Sequence, residues 1–265
     1  MQWSVVYRGA YNEDGSLYFP GRLTHEFLDN AKQTLGSYIF ANQYLNEIIP
    51  ADKQCFKKEW FRYYDELPKR KTTFIFVDPA LSEADTSDYT GVVVVHVGVN
   101  KNWYVSHAQR YRVNPSELVD LVFRLNKEFK PQGIGIETVA YQKALIYFLA
   151  DEMRRRNEII PIKDIKYPTT NSKQTRILSL VPRIEFGHLY LNRGLNDLEL
   201  ELLQFPRGSH DDLIDALNSI DYLAFPPDDK EEEIKKPGSP NDPMYEQWYR
   251  QNLLRRSNDP GEHGY

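Results

Sequence analysis

Hydrophobic residues recur along the chain with two periods, and each period predicts a different kind of element. Runs rich in β-branched and aromatic residues predict strands, namely TTFIFVDPA, YTGVVVVHVGV, NWYVSHAQRYRV, PQGIGIE, IPIKDIKYP and HLYLN. Apolar residues at helical spacing predict helices near 24–47, 116–129, 140–157 and 173–185, from 196, and over the segment that GSHDDLIDAL opens. Two strands meet as a hairpin around NKN and later strands alternate with helices, which predicts an α/β fold with a mixed sheet flanked by helices on both faces.

Composition divides the chain into three segments. Residues 1–71 predict irregular, aromatic-rich structure around one helix and end in PKRK. Residues 72–225 contain the predicted sheet and its helices. Residues 226–265 begin as a charged, Pro-rich linker, DDKEEEIKKPGSPNDP, and continue into a C-terminal tail.

Overall composition is that of an ordinary globular protein, with 41% hydrophobic and 27% charged residues among 265. Cys55 is the single cysteine, which excludes disulfides within the chain and a cysteine-rich zinc site. The longest apolar run is too short to span a bilayer, and the N-terminus lacks a signal-peptide layout, so the cytoplasm is expected and a membrane is not. A net charge of −5 provides no global basic field, although a local groove can still be basic.

Acidic residues occur at the positions of such a sheet where a functional site is expected. Asp78 ends the first strand, Glu137 ends GIGIE, and the C-terminal ends of strands are where α/β sheets open their crevices. The aspartates of GSHDDLIDAL supply a third acidic group from a distant part of the chain. Such a cluster repels itself unless cations neutralise it, and oxygen ligands alone favour Mg²⁺ or Mn²⁺. Two ions about 4 Å apart would clamp a phosphodiester.

Each acid also has an ordinary structural interpretation. An aspartate at a strand end commonly belongs to a turn, and acids in SHDD suit an N-cap and the first turn of a helix. The three acidic groups are more specific together than any of them is alone.

Helix geometry ranks the three aspartates of this segment. At ~100° per residue, Asp212 borders the apolar stripe and is expected to point toward Asp78. Asp211 lies in the first turn and could reach a second ion, whereas Asp215 is expected at the surface or outside the immediate ligand set. The predicted catalytic acids are therefore Asp78, Glu137 and Asp212, with Asp211 as a further metal ligand.

Residues 72–225 resemble the nuclease domain of the large terminase subunit of tailed bacteriophages, an RNase H-like domain. The resemblance rests on FVDPALSEADTSDYTGVVVV, GIGIETVAYQKAL, SKQTRILSLVPRIEFGHLYL and GSHDDLIDAL, in family order. It implies that Asp78, Glu137 and an aspartate of HDD bind metal, and Asp88 matches an additional acidic position of some family members. Asp215 is kept as a further candidate ligand. Asp88 is equally a turn residue before a strand.

Basic residues provide candidate contacts to a nucleic acid. Lys143, Lys173 and Arg176 belong to a stretch that is locally rich in lysine and arginine. Lys173 and Arg176 open a predicted helix after PTTNS and could approach phosphates there. A solvated helix start is the alternative interpretation.

The resemblance implies a two-metal endonuclease that cuts concatemeric double-stranded DNA during genome packaging in the host cytoplasm. The terminase small subunit and the portal protein are the implied partners. No GxxxxGK[ST] motif occurs, so we expect the C-terminal part of such a subunit without its ATPase, with residues 1–71 as the segment that would join that ATPase to the nuclease domain. A non-catalytic module that docks on DNA or portal, and a resolvase or RNase H-type nuclease, remain the alternatives.

Overall fold

A seven-stranded mixed sheet forms the centre of the fold. The structure is a computed structural model that describes residues 8–47, 54–79, 89–137, 143–167 and 172–228, with backbone alone at 143 and 144. The strands are β1 Arg62–Tyr63, β2 Lys71–Asp78, β3 Thr90–Gly98, β4 Trp103–Tyr111, β5 Gly133–Glu137, β6 Ile162–Ile165 and β7 Leu189–Leu191. Their order across the sheet is β1-β7-β4-β3-β2-β5-β6. β2, β3 and β4 pair antiparallel, and the other neighbours pair parallel.

Helices cover both faces of this sheet. They are α1 His25–Phe40, α2 Pro115–Phe129, α3 Lys143–Arg156, α4 Lys173–Leu178, α5 Leu180–Glu185, α6 Asn196–Gln204 and α7 Asp212–Ser219. A π turn over Ala41–Leu45 follows α1, and 3₁₀ turns lie at Lys58–Trp60 and Ile220–Tyr222. Within the described residues, no helix is both long and apolar enough to cross a membrane.

Alternating side chains of the central strands supply two hydrophobic cores. Ile75 and Val77 of β2 pack with α2 and α3 on one face. Phe74 and Phe76 point to the opposite face, where they pack with α4, α5, α6 and α7. Because successive side chains of a strand point to opposite faces of the sheet, each buried strand contributes side chains to both cores. The predicted mixed sheet with helices on both faces is confirmed.

Two predicted helices differ in detail. The helix expected near 173–185 is divided into α4 and α5, because Pro182 has no N–H to donate to the carbonyl of Leu178. The helix expected near 24–47 is kinked at Gly36, whose φ of 75° lies in the region that favours glycine. A Cβ at Gly36 would lie 2.9 Å from Val181 Cγ1, so the kink also permits close approach of α1 to α5.

The segment before residue 71 contributes to the same sheet as the residues after it. β1 pairs with β7, Phe56 is fully buried in the core that α4 to α7 share, and the backbone N–H of Ser37 donates to Glu185 Oε2 at 2.8 Å. Residues 1–227 form one compact unit and 228–265 a second, of which Asp228 alone is described. The functional boundary predicted at residue 71 stays a prediction.

Candidate metal centre

Three carboxylates from three elements meet at one edge of the sheet. Asp78 is the last residue of β2, Glu137 is the last residue of β5, and Asp215 lies in α7. The parallel pairing of β2 with β5 places the first two side by side. One oxygen of each carboxylate lies within 4.8 Å of the others, an arrangement that could hold a metal ion. We call these three residues the acidic cluster.

Close packing of α7 on β3 brings Asp215 to the strand ends. Gly91 of β3 is the register partner of Asp78, and a Cβ at Gly91 would lie only 2.8 Å from the backbone oxygen of Asp212. The helix therefore begins directly above the strand beside Asp78. Asp215, one turn further along, is 4% exposed and reaches the ends of β2 and β5.

The orientation of α7 predicted from its apolar stripe is wrong. Asp215, predicted at the surface or outside the immediate ligand set and only an additional metal candidate, joins the acidic cluster, and Asp212, predicted nearest to Asp78, does not. The prediction requires a helix with one solvated face, whereas all residues from Leu213 to Ser219 are buried. An apolar stripe cannot define the orientation of a helix that is covered on every side. A metal-binding role for Asp212 and Asp211 stays a prediction.

Burial and repulsion between like charges favour the protonated forms of Asp78 and Glu137. Burial, followed by the charges of Glu137 and Asp215, raises the pKa of Asp78 to about 8. Burial and the charge of Asp215 also raise the pKa of Glu137, against the opposing effect of Arg176. The all-oxygen donor set fits a hard divalent cation, which would relieve this repulsion.

Two basic side chains approach the same acids from α4. Arg176 Nη2 lies 3.1 Å from both carboxylate oxygens of Asp215. Lys173 Nζ lies 2.8 Å from Asp211 Oδ1 and 3.5 Å from Asp215 Oδ2. The guanidinium of Arg176 also stacks on the ring of Tyr167, at 3.9 Å from its centroid. Lys173 and Arg176, predicted to contact DNA, thus act as counter-ions of the acids here, and their contact with DNA stays a prediction.

The sequence profile of the terminase RNaseH-like domain matches residues 75–220, more than half of the chain. The chain belongs to the terminase RNaseH-like domain family. All three members of the acidic cluster lie within the matched range. The family recognised from the motifs is therefore confirmed. A search of curated proteins gave no match.

Solved structures of large terminases share the fold of this terminase domain. The large terminase of a thermophilic bacteriophage, in complex with ADP, is 10% identical, with a TM-score of 0.55 over 75% of this chain and 51% of that one. A second structure of that large terminase gives the same TM-score and identity, over 76% and 53%. The nuclease of the thermophilic phage G20c with bound zinc is 16% identical, with a TM-score of 0.45 over 65% and 98%. The present chain spans about half the length of the large terminase in the first two structures.

Glu201 of α6 is a residue of this terminase domain that the sequence analysis missed. Its Oε2 accepts the backbone N–H groups of Leu213 at 2.9 Å and Ile214 at 3.1 Å, so it caps α7. Burial raises the pKa of Glu201 to about 7, although these donors and Arg110 oppose the shift. A signal existed in the sequence, because Glu201 occupies an apolar position of the stripe that includes Leu198 and Leu202.

Two predicted site residues cannot be placed. Asp88 lies outside the described residues, and so does the side chain of Lys143 at the start of α3. Their predicted roles in metal binding and DNA binding stay predictions.

Proposed function

We propose that this domain is a divalent-metal-dependent endonuclease that cuts double-stranded DNA. The single observation behind the proposal is the convergence of Asp78, Glu137 and Asp215 at the strand ends of a terminase RNaseH-like domain. Self-repelling carboxylates with an all-oxygen donor set suit Mg²⁺ or Mn²⁺. When bound, two such ions would activate a water molecule and neutralise charge on the phosphate that is cut.

The chain's own residues divide into ligands and counter-ions. Asp78, Glu137 and Asp215 would hold the ions, and Asp211 and Asp212 at the start of α7 would supply further oxygens. Because the pKa of Asp78 is about 8, its carboxyl must release a proton for ligation near neutral pH. Metal affinity should therefore increase as the pH rises.

In the absence of metal, Lys173 and Arg176 would partly neutralise the negative charge of Asp211 and Asp215. Arg176 contacts both oxygens of Asp215, and Lys173 contacts Asp211. Metal ions would compete with these contacts and leave both basic side chains available to phosphate oxygens. Their roles as counter-ions and as DNA contacts are thus compatible.

The family supports a place in viral DNA packaging. We propose that the substrate is concatemeric double-stranded viral DNA, that the terminase small subunit and portal protein are partners, and that cutting occurs in the host cytoplasm. The large terminase of similar fold is roughly twice as long as the part matched here, so these proposals concern a larger motor protein.

Plasmid cleavage tests the proposal. Supercoiled plasmid is incubated with the wild-type chain in Mg²⁺ or Mn²⁺, with and without chelator, and with Asp78→Asn. We expect linear product that needs metal and disappears in the variant. Asp151→Asn is the matched control, since Asp151 is an exposed aspartate of α3 that pairs with Arg154. Full cleavage by Asp78→Asn would contradict the proposal, and metal binding without cleavage would favour a non-catalytic docking module. Selective cutting of four-way junctions would favour a resolvase.

A further inference from the structure

A second group of side chains with basic and aromatic character lies beside the acidic cluster. Asp78, Gly91 and Arg110 form one row across β2, β3 and β4. Tyr89 directly precedes β3 and Arg112 directly follows β4, and the Arg110 guanidinium lies 5.6 Å from the centroid of the Tyr89 ring, so Tyr89 adjoins this row. With neighbouring strands ~4.8 Å apart, the Arg110 position lies about 10 Å from that of Asp78.

Tyr89 is the centre of this second group. The Arg112 guanidinium lies 4.6 Å from the centroid of the Tyr89 ring, and its Nη2 donates to the Tyr89 hydroxyl at 2.8 Å. His210 meets the same ring edge-on at 5.7 Å. His210 directly precedes Asp211 and Asp212 at the start of α7, the helix that also carries Asp215 of the acidic cluster.

Arg112 differs from the other basic residues at this edge in its partners. Arg110 lies 3.7 Å from Glu201 and 3.6 Å from Asp197, and Lys173 and Arg176 face aspartates. Over the ranges that the structure describes, Arg112 has no carboxylate partner, and it is exposed. The Tyr89 contacts hold its guanidinium in place, while its other N–H groups remain available to an anion.

A fixed guanidinium beside an aromatic ring suits a phosphodiester backbone. Guanidinium groups bind phosphate oxygens in a bidentate manner, and basic grooves interleaved with aromatic rings are typical of nucleic-acid channels. At a rise of about 3.4 Å per nucleotide along one strand, the span of about 10 Å between the Asp78 and Arg110 positions corresponds to about three nucleotides. Arg112 follows Arg110 by two residues along the chain, so its phosphate would lie at least that far from the bond that is cut.

We propose that Tyr89, Arg112 and His210 form a binding site for a DNA backbone phosphate a few nucleotides from the bond that is cut. This inference rests on the proposed function, since it assigns part of the substrate path to that site. It adds a contact outside the Lys143, Lys173 and Arg176 group. Arg112 is the phosphate ligand, and Tyr89 is the residue that positions it.

Salt-dependent binding tests the site independently of cleavage. Binding of a fluorescent blunt DNA duplex is measured in chelator, at several salt concentrations, for the wild type and Arg112→Gln. We expect the slope of log affinity against log salt to flatten by about 0.9, the value for one lost phosphate contact. Arg154→Gln is the matched control, because Arg154 is an exposed arginine of α3 that pairs with Asp151.

Two further variants separate charge from geometry. Arg112→Lys should retain the slope but bind more weakly, since an ammonium group keeps the charge and loses the bidentate contact. Tyr89→Phe should weaken binding less than Arg112→Gln does, because the ring remains and the hydroxyl is lost. Identical slopes and affinities for Arg112→Gln and Arg154→Gln would overturn the site, even if the plasmid assay shows cleavage. A flatter slope for Arg112→Gln supports the site, even if no metal supports cleavage.

Discussion

Helices α2 and α7 cover opposite faces of the same sheet, and they obtain their caps and their orientation in different ways. α2 carries its own capping box, in which Asn114 Oδ1 accepts the N–H of Glu117 at 3.0 Å and Glu117 Oε2 accepts the N–H of Asn114 at 2.9 Å. One side of α2 is buried and the other meets solvent. Everything that begins and orients this helix is therefore present in its own sequence.

α7 depends on its neighbours for the same two properties. The N-cap Asp211 makes no side-chain cap bond, and Glu201 of α6 accepts the free N–H groups instead. Asp215, Asn218 and Ser219 are buried on α7 together with its apolar residues. A helix that bears buried functional groups is therefore oriented by partner elements that its own periodicity does not reveal.

Substitution of Asp215, the buried acid of α7, should have the largest effect on cleavage. We expect Asp215→Asn to reduce plasmid cleavage by about a hundredfold or more, a barrier increase of about 2.7 kcal/mol, because Asp215 belongs to the acidic cluster. Asp212→Asn should cost less, about tenfold. Asp120→Asn, on the exposed side of α2, is the control. An inactive Asp212→Asn together with an active Asp215→Asn would restore the orientation expected from the sequence.

Removing the cap supplied by α6 should destabilise the fold and disturb the site together. Glu201→Ala leaves the buried N–H groups of Leu213 and Ile214 without their acceptor, which should lower the free energy of unfolding by about 2 kcal/mol. Cleavage should fall as well, since α7 carries Asp215. Denaturant unfolding and the plasmid assay measure the two effects. Glu201→Gln retains an acceptor oxygen and should recover most of both; equal losses in the two variants would argue against the cap.

Relieving the repulsion in the acidic cluster should stabilise the metal-free protein at high pH. An acid whose pKa rises from 3.8 to about 8 on folding holds a proton that the unfolded chain has released. Stability therefore falls as the pH rises between these values. At pH 8 in chelator, Asp78→Asn should have a melting temperature a few degrees above that of the wild type. A gain of about 1 kcal/mol in the free energy of unfolding corresponds to ~2–4 °C. The advantage should disappear near pH 4. A wild type that melts higher at pH 8 would contradict the raised pKa.

Removing the local cap of α2 should have the smallest effect. Asn114→Ala should destabilise the protein by about 1 kcal/mol, the usual cost of a lost N-cap. Cleavage should not change, because α2 lies on the face opposite α7. Thermal unfolding and plasmid cleavage test both statements, and a loss of activity beyond the loss of folded protein would show that the two faces are coupled.

Much of the fold and two members of the acidic cluster could be predicted from the sequence. Strand periodicity indicated the hairpin and the parallel strands, and Asp78 and Glu137 are adjacent because acids at the ends of parallel strands share an edge. The place of Asp215 rather than Asp212 in the cluster, and the contacts of Glu201 and Arg112, required the structure. Their roles depend on contacts between elements far apart in sequence, and single-helix periodicity does not encode such contacts.

The contact between Gly91 and α7 sets a dimensional tolerance for the site. A Cβ at Gly91 would lie 2.8 Å from the Asp212 backbone oxygen, whereas ordinary contact begins at 3.4 Å, so one methyl group would lift the helix by about 0.6 Å. Functional groups must usually be held within about 0.5 Å of their working positions. The close contact between the backbone of Gly91 and the backbone of α7 thus determines the distance between the carboxylate of Asp215 and the carboxylates at the strand ends. Ligand substitutions would change the chemistry of the site without changing this spacing.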